Sequence, residues 1–267
     1  MPVGIISGSG MYSLPGFQES ETTTVPTPYG EVLVASVSFA GEQLLHIARH
    51  GAGHALLSSA VNHRANVWAL KQLGATSAIG LTACGGVDPD LELGSLLIFD
   101  DLHFISNRLP DGSLCTFFSE PGQPQRGHWV LHGGPFSEAL RATLADAALA
   151  SGQSFQAGGT YGHVDGPRFN TPSEIAQLAA CGVAAVSQTG GPETVLCGEL
   201  ELPFALVGFV TDHANGVLPG APTPAATLTE LITRAPVAFT DLLEHAMPRV
   251  ASLQQPPAPA GTMFRFG

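Results

Sequence analysis

Basic residues are scarce in this chain: ten Lys plus Arg stand against twenty-two Asp plus Glu, for a formal charge of −12, and Lys71 is the one lysine. A surface of that sign has no broad electrostatic grip on nucleic acid or on anionic lipid, so any phosphate site must be local. No uninterrupted apolar run is long enough to cross a bilayer, and no basic, apolar leader opens the sequence, which leads us to expect a cytoplasmic protein with no membrane partner. Cysteine is sparse too. Cys84, Cys115, Cys181 and Cys197 form no C-x-x-C pair and read as buried thiols. His46, His50 and His54 recur every fourth residue, but Gly51 and Gly53 interrupt the segment and Leu44 to Ala48 reads as a strand, so we assign no metal. The 267 residues, 44% hydrophobic, suffice for one sizeable core: residues 1–253 as a single domain, with a Pro-rich tail over 254–267 either disordered or laid along a partner.

What the chain does have is a series of apolar runs that empty into glycine turns. Val186 to Glu193, V-S-Q-T-G-G-P-E, reads as a buried strand handing over to a helix, with Pro192 in the first turn and Glu193 complementing the helix dipole. Such a helix start leaves N–H groups free near Gln188 and Thr189, where phosphate or sugar hydroxyls are attracted. Met1 to Ser7 enters Gly8-Ser9-Gly10. A dinucleotide fingerprint would want a third glycine where Ser13 stands, and Pro15-Gly16 breaks the helix it would open, so a glycine loop that touches one phosphate with Ser9 is the better reading.

Glu31 to Phe39 and Gln43 to Ala48 predict a hairpin followed by Arg49-His50, a cation placed for an anion. Val61, Ala65, Trp68, Ala69 and Leu73 mark a helix, and Ser77 to Leu81 a strand that ends in Thr82-Ala83-Cys84. Ser95 to Phe99 is a further strand before the solvated turn Asp100-Asp101, and Pro110 to Gly127 is a long loop. A helix runs from Ser137 to Gly152, and a strand over Phe155 to Val164 leads into D-G-P-R-F-N. Thr171-Pro172-Ser173-Glu174 is a capping box that starts a helix and holds that hexapeptide, with Phe169, at a fixed place. Pro203 to Val210 is an apolar strand that ends in Thr211-Asp212, and Leu228 to Met247 predicts a last helix kinked or divided at Pro236.

Taken together, G-I-I-S-G-S-G-M-Y, A-R-H-G, T-A-C-G-G-V, G-H-V-D-G-P-R-F-N-T-P-S-E, T-G-G-P-E and V-T-D-H-A-N-G, in that order over roughly residues 3 to 217, resemble the trimeric purine nucleoside phosphorylases, most of all their 5′-methylthioadenosine branch. The resemblance implies an α/β fold, a central mixed β-sheet flanked by helices in three αβα layers, and cleavage of a purine nucleoside by inorganic phosphate without metal or organic cofactor. It implies that Ser9, Arg49, His50, Thr82, Ala83, Thr189 and Thr211 hold phosphate. Phe169 and Asn170 would lie at the base, Gln188 by the ribose hydroxyls, and Asp212 beside purine N7 as the catalytic group. It also implies a homotrimer in which His128, Trp129 or His132 approaches a neighbour's sugar pocket.

Four places differ from the family: Gln188 replaces a methionine, T-G-G-P-E replaces T-V-P-E, Ala214 replaces a second aspartate, and Asn170 replaces a small hydroxyl residue or the glutamate of the 6-oxopurine branch. The expected substrate is 5′-methylthioadenosine. The alternatives are a 6-oxopurine nucleoside, 5′-methylthioinosine, or a nucleoside-binding protein that has lost catalysis. An oxidoreductase would rest on Gly8-Ser9-Gly10 alone.

Overall fold

The computed structural model describes residues 2–11, 14–220, 222–253 and 256–266. Ser13 and Gln254, where the third glycine and the start of the tail were sought, lie outside the described residues.

The chain opens with β1 (Val3–Ser7), followed by the antiparallel meander β2 (Gln18–Thr27), β3 (Gly30–Phe39) and β4 (Glu42–Ala48). Helix α1 (His63–Gln72), capped by Asn62, leads to the long strand β5 (Ser77–Gly86) and the short strands β6 (Leu96–Ile98) and β7 (Asp101–His103). Then come β8 (Gly127–Val130), α2 (Glu138–Ser151), β9 (Phe155–Ala157), β10 (Thr160–His163), α3 (Pro172–Ala180) and β11 (Val183–Ser187). The final elements are α4 (Gly190–Glu199), β12 (Phe204–His213), α5 (Ala225–Ala251) and β13 (Thr262–Arg265).

Eleven of these strands form one mixed sheet. Strand β5 is its centre: buried almost throughout, it pairs in parallel with β1 and β12, and at Gly85 and Gly86 it also pairs antiparallel with β11. An all-buried strand reads as a continuous apolar run because both its faces are covered. One face packs on α1 and α4, through Ala65, Val67, Leu70, Leu196 and Cys197; the other packs on α2 and α5, through Leu140, Leu144, Phe239, Leu243 and Met247. The expected αβα layering follows. The capping box at Thr171 is present, with both reciprocal bonds made by Glu174.

Four expectations need correction. The run from Phe155 to Val164 is two strands, because Gly158 and Gly159 take φ of 106° and 137°, conformations open to glycine, and send β9 to β6 but β10 to β7 and β11. Asp100 is no idle turn residue: its carboxylate accepts from the Gly159 amide at 2.9 Å and sits on that break. The last helix is continuous through Pro236 and Pro248, carried by a buried face that includes Ala235, Phe239, Leu242 and Ala246. Part of the tail is a strand on its own chain, since β13 pairs with β8 and Trp129 donates to the Ala260 carbonyl at 2.8 Å.

Burial leaves four imidazoles neutral. His46 and His50 are pushed down to about 4 and His163 to about 3, first by desolvation, and His63 lies well below its ordinary value for the same reason. The unfolded chain takes protons near pH 6.5, whereas the folded one holds out to about 4 or lower, so stability is full above 6.5 and is lost as pH falls through that window. Urea midpoints should therefore fall markedly between pH 7.5 and pH 5, the unfolding free energy dropping by up to about 8 kcal/mol if all four imidazoles stay neutral (~1.4 per imidazole per pH unit below 6.5). A midpoint that is flat across that range would contradict it.

Candidate active site

Strands β1, β4, β5 and β12 run parallel, so their carboxyl ends share one edge, the place where open α/β sheets collect ligands. Strand β11 reaches the same place by the opposite route. It runs back along the far half of β5 and sets Ser187 beside Thr82, with the two hydroxyl oxygens 2.9 Å apart. These ends surround one cavity of about 300 Å³. Ser9, His50, Thr82, Ala83, Phe169, Asn170, Gln188, Thr189, Thr211, Asp212 and Ala214 all line it. Of the residues singled out in the sequence, Arg49 is the exception.

Arg49 is 2% exposed and its guanidinium is turned into the core. Nε and Nη2 donate to the two carboxylate oxygens of Glu193 at 2.6 and 2.9 Å, Nη2 also to the Ile6 carbonyl at 3.1 Å, and Nη1 to the Leu81 carbonyl at 2.8 Å. Four of its five N–H groups are thus spent, and it is not the open cation expected of a strand-end arginine. The reason lies in Glu193, which a helix-dipole role would leave at the surface but which is wholly buried in α4. A carboxylate taken out of water demands a partner, and the fork of Arg49 fits it bidentately.

The start of α4 differs as well. The amides of Thr189 and Gly190 are not free, because both donate to the buried Tyr161 hydroxyl, at 3.3 and 3.0 Å. The cavity is accordingly lined by the hydroxyls of Ser9, Thr82, Ser187 and Thr189, together with His50, and no Lys or Arg is among the described lining residues. His50 Nδ1 meets the Leu56 carbonyl at 2.9 Å, and its ring stacks on His54 at 4.5 Å. A carbonyl can only accept, so Nδ1 carries the proton and the neutral ring keeps Nε2 as an acceptor.

At the end of β12 a β-bulge does the positioning. In the pairing of β12 with β5 the register jumps from Val210 to Asp212, so Thr211 is the extra residue. Strict alternation would send Thr211 and Asp212 to opposite faces; the bulge brings both to the cavity. Thr211 Oγ1 donates to Asp212 Oδ1 at 2.8 Å. Burial nonetheless raises the proton affinity of Asp212, and the Thr211 bond offsets part of that effect. Phe169, 61% exposed, overlooks the opening, and Ala214 leaves a small apolar wall next to the carboxyl. Asn170 is held by Glu174 and Asn215.

Several lining residues were not legible beforehand. Ser58 carried no motif, and Ser187, though inside the octet Val186 to Glu193, was given no role. Leu228 and Ile232, one turn apart on α5, bring an apolar wall that an i, i+4 pair at the start of the last helix could have signalled.

Over residues 2–247 the sequence matches the phosphorylase superfamily, and the chain belongs to it. Within that superfamily it is similar to purine nucleoside enzymes. It is 36% identical to a probable 6-oxopurine nucleoside phosphorylase of Thermococcus kodakarensis over 81% of each chain. It is also 36% identical to a probable S-methyl-5′-thioinosine phosphorylase of Pseudomonas syringae pv. tomato, over 79% of this chain and 85% of the other. Among solved structures, a methylthioadenosine phosphorylase of Schistosoma mansoni in complex with adenine superposes with a TM-score of 0.84 at 27% identity, covering 94% of this chain and 92% of that one.

Removing one partner of a buried ion pair strands the other. Arg49→Ala should cost about 3–5 kcal/mol of folding stability, and the double variant R49M/E193L should lose less than R49A alone. Urea denaturation checks both, and an R49A midpoint equal to wild type would refute the account of the pair.

Proposed function

We propose that this protein cleaves a purine nucleoside with inorganic phosphate, 5′-methylthioadenosine being the substrate the site suits best. The observation that carries the reading is one cavity lined both by several hydroxyls and by the half-buried carboxyl of Asp212. Phosphate sits among Ser9, Thr82, Thr189 and His50 and attacks C1′ as the sugar becomes cation-like. The purine leaves towards Asp212, stacked by Phe169. Positioning of the anion and relief of charge on the departing base are the two demands of this reaction. Asp212 meets the second: burial favours its protonated form, which can hand a proton or a hydrogen bond to N7, while Thr211 fixes Oδ1. The reaction needs no metal or organic cofactor, and no described His, Cys, Asp or Glu cluster has the make-up of a metal site.

The 5′ end is supported by Leu57, Leu228 and Ile232 in the wall, apolar side chains suited to a methylthio group, with no donor from α5 for a 5′-hydroxyl. Asp212 as an acceptor suits a 6-amino group. A second reading, a 6-oxopurine or methylthioinosine substrate, is favoured by two observations: burial shifts Asp212 towards the protonated form that a 6-oxo group would need, and the chain is 36% identical to relatives named for those substrates. A panel of methylthioadenosine, adenosine, methylthioinosine and inosine, each assayed with and without phosphate, tests the whole reading. Release of base only with phosphate, fastest for methylthioadenosine, is expected, and Asp212→Asn should lower kcat by about 10²–10⁴. Fastest release from methylthioinosine would give the site to the second reading; no phosphate-dependent release from any of the four would end both.

No described helix is long and apolar enough to cross a membrane, and we place the molecule in the cytoplasm as a homotrimer. Its candidate contacts are partly engaged within the subunit: Trp129 with Ala260, and His128 edge-on to Phe266. Light scattering of the active protein should report a mass three times that of the chain, and an active monomer would contradict the assembly.

A further inference from the structure

Gln188 joins three segments that are far apart in the chain. Its Oε1 accepts from the Ser58 hydroxyl at 2.7 Å, and its Nε2 donates to the Arg168 carbonyl at 3.0 Å. Gly166 closes the gap, since a Cβ there would run into both Gln188 Oε1 and Ser58 Oγ. The amide is therefore already engaged at both polar ends, as a side chain that bridges walls would be.

The two walls serve different ends of the cavity. Ser58 belongs to the segment that starts at His50, which closes on itself through Leu56 N–H to His50 O at 2.8 Å and His50 Nδ1 to Leu56 O at 2.9 Å. Arg168 precedes Phe169 and Asn170. The far side of that loop is anchored to α3, where Glu174 takes Arg168 at 2.8 and 2.6 Å and Asn170 at 3.3 Å, and to Asn215, which donates to the Asn170 carbonyl at 2.7 Å. Its near side is held to the His50 wall by Gln188. Gln188 also directly precedes Thr189, at the hydroxyl-lined end.

We propose that Gln188 is a positioning residue, a brace that makes order at the anion end raise affinity at the base end. An anion that settles His50 and Thr189 holds Ser58 and Gln188 in place, and these hold the loop that carries Phe169. The cost of ordering that loop is then met before the purine arrives, which is the condition for positive coupling between two ligands.

Two measurements test the brace. The first needs no ligand: hydrogen exchange of the full chain should rise in both residues 164–170 and residues 52–60 in Q188A, and in S58A. Unchanged exchange in either segment of Q188A would overturn the proposal, whatever the enzyme acts on. The second rests on the proposed function and titrates adenine and hypoxanthine in parallel, with and without inorganic phosphate. Phosphate should tighten the base that binds by a factor in the usual range for coupled sites, about 5–150-fold, in wild type. That factor should fall to about 2-fold or less in Q188A and in S58A, with S58A/Q188A no worse than Q188A. If Q188A weakens base binding equally with and without phosphate and S58A changes nothing, Gln188 touches ligand instead of bracing, and the proposal fails. Failure of the substrate panel with altered exchange would remove the nucleoside reading and leave the brace standing.

Discussion

The buried pair of Arg49 and Glu193 is the interaction on which the site depends. Arg49 follows β4 and Glu193 lies in α4; the remaining bonds of the guanidinium go to Ile6 in β1 and Leu81 in β5. One side chain thus bolts together four of the elements whose ends form the cavity. Burial of two charges is costly and such pairs seldom add much net stability, but a site benefits from what they do supply, a single permitted arrangement. The surroundings press close on it: His63 lies 3.8 Å from Glu193 with neither ring nitrogen hydrogen-bonded, and Gly8 leaves no room for a Cβ beside Arg49 Nη1. Because Glu193 offsets the cation, the cavity itself is lined by the hydroxyls of Ser9, Thr82, Ser187 and Thr189.

Most of the architecture was legible in the sequence, for reasons that can be named. Strands such as Val3–Ser7 and Phe204–His213 are buried on both faces and read as apolar runs, and Thr171 with Glu174 announces a helix start by chemistry internal to four residues. Strand β2, Q-E-S-E-T-T-T-V-P-T, was missed, because its polar side chains give no apolar run and it is fixed by pairing with β3. The division of β9 from β10 depends on partners that are distant in sequence. Most of the cavity-lining residues named from the sequence stand at strand ends, which the local pattern marks.

What the sequence concealed is where polar groups are directed. Arg49 beside a strand end is equally compatible with an open cation and with an inward one, and only the burial of Glu193, 144 positions later, decides. Tyr161 takes the first amides of α4 from a strand 28 positions earlier. Gln188 stood out as an odd residue, yet its partners Ser58 and Arg168 are 130 and 20 residues away. Short-range signals report backbone conformation; hydrogen-bond partners across the core are a property of the assembled fold.

The fixed tautomer of His50 bears on which oxyanion the proposed phosphate site would take. With Nδ1–H given to Leu56, the neutral ring presents a lone pair, and burial keeps it neutral down to about pH 4. Hydrogen phosphate carries a proton of its own to place against that lone pair. Sulfate, nearly the same in size and charge, carries none at neutral pH and meets it oxygen to nitrogen, two acceptors face to face. A cavity with no lysine or arginine among its described lining residues would in this way sort two almost identical dianions by the one hydrogen that distinguishes them.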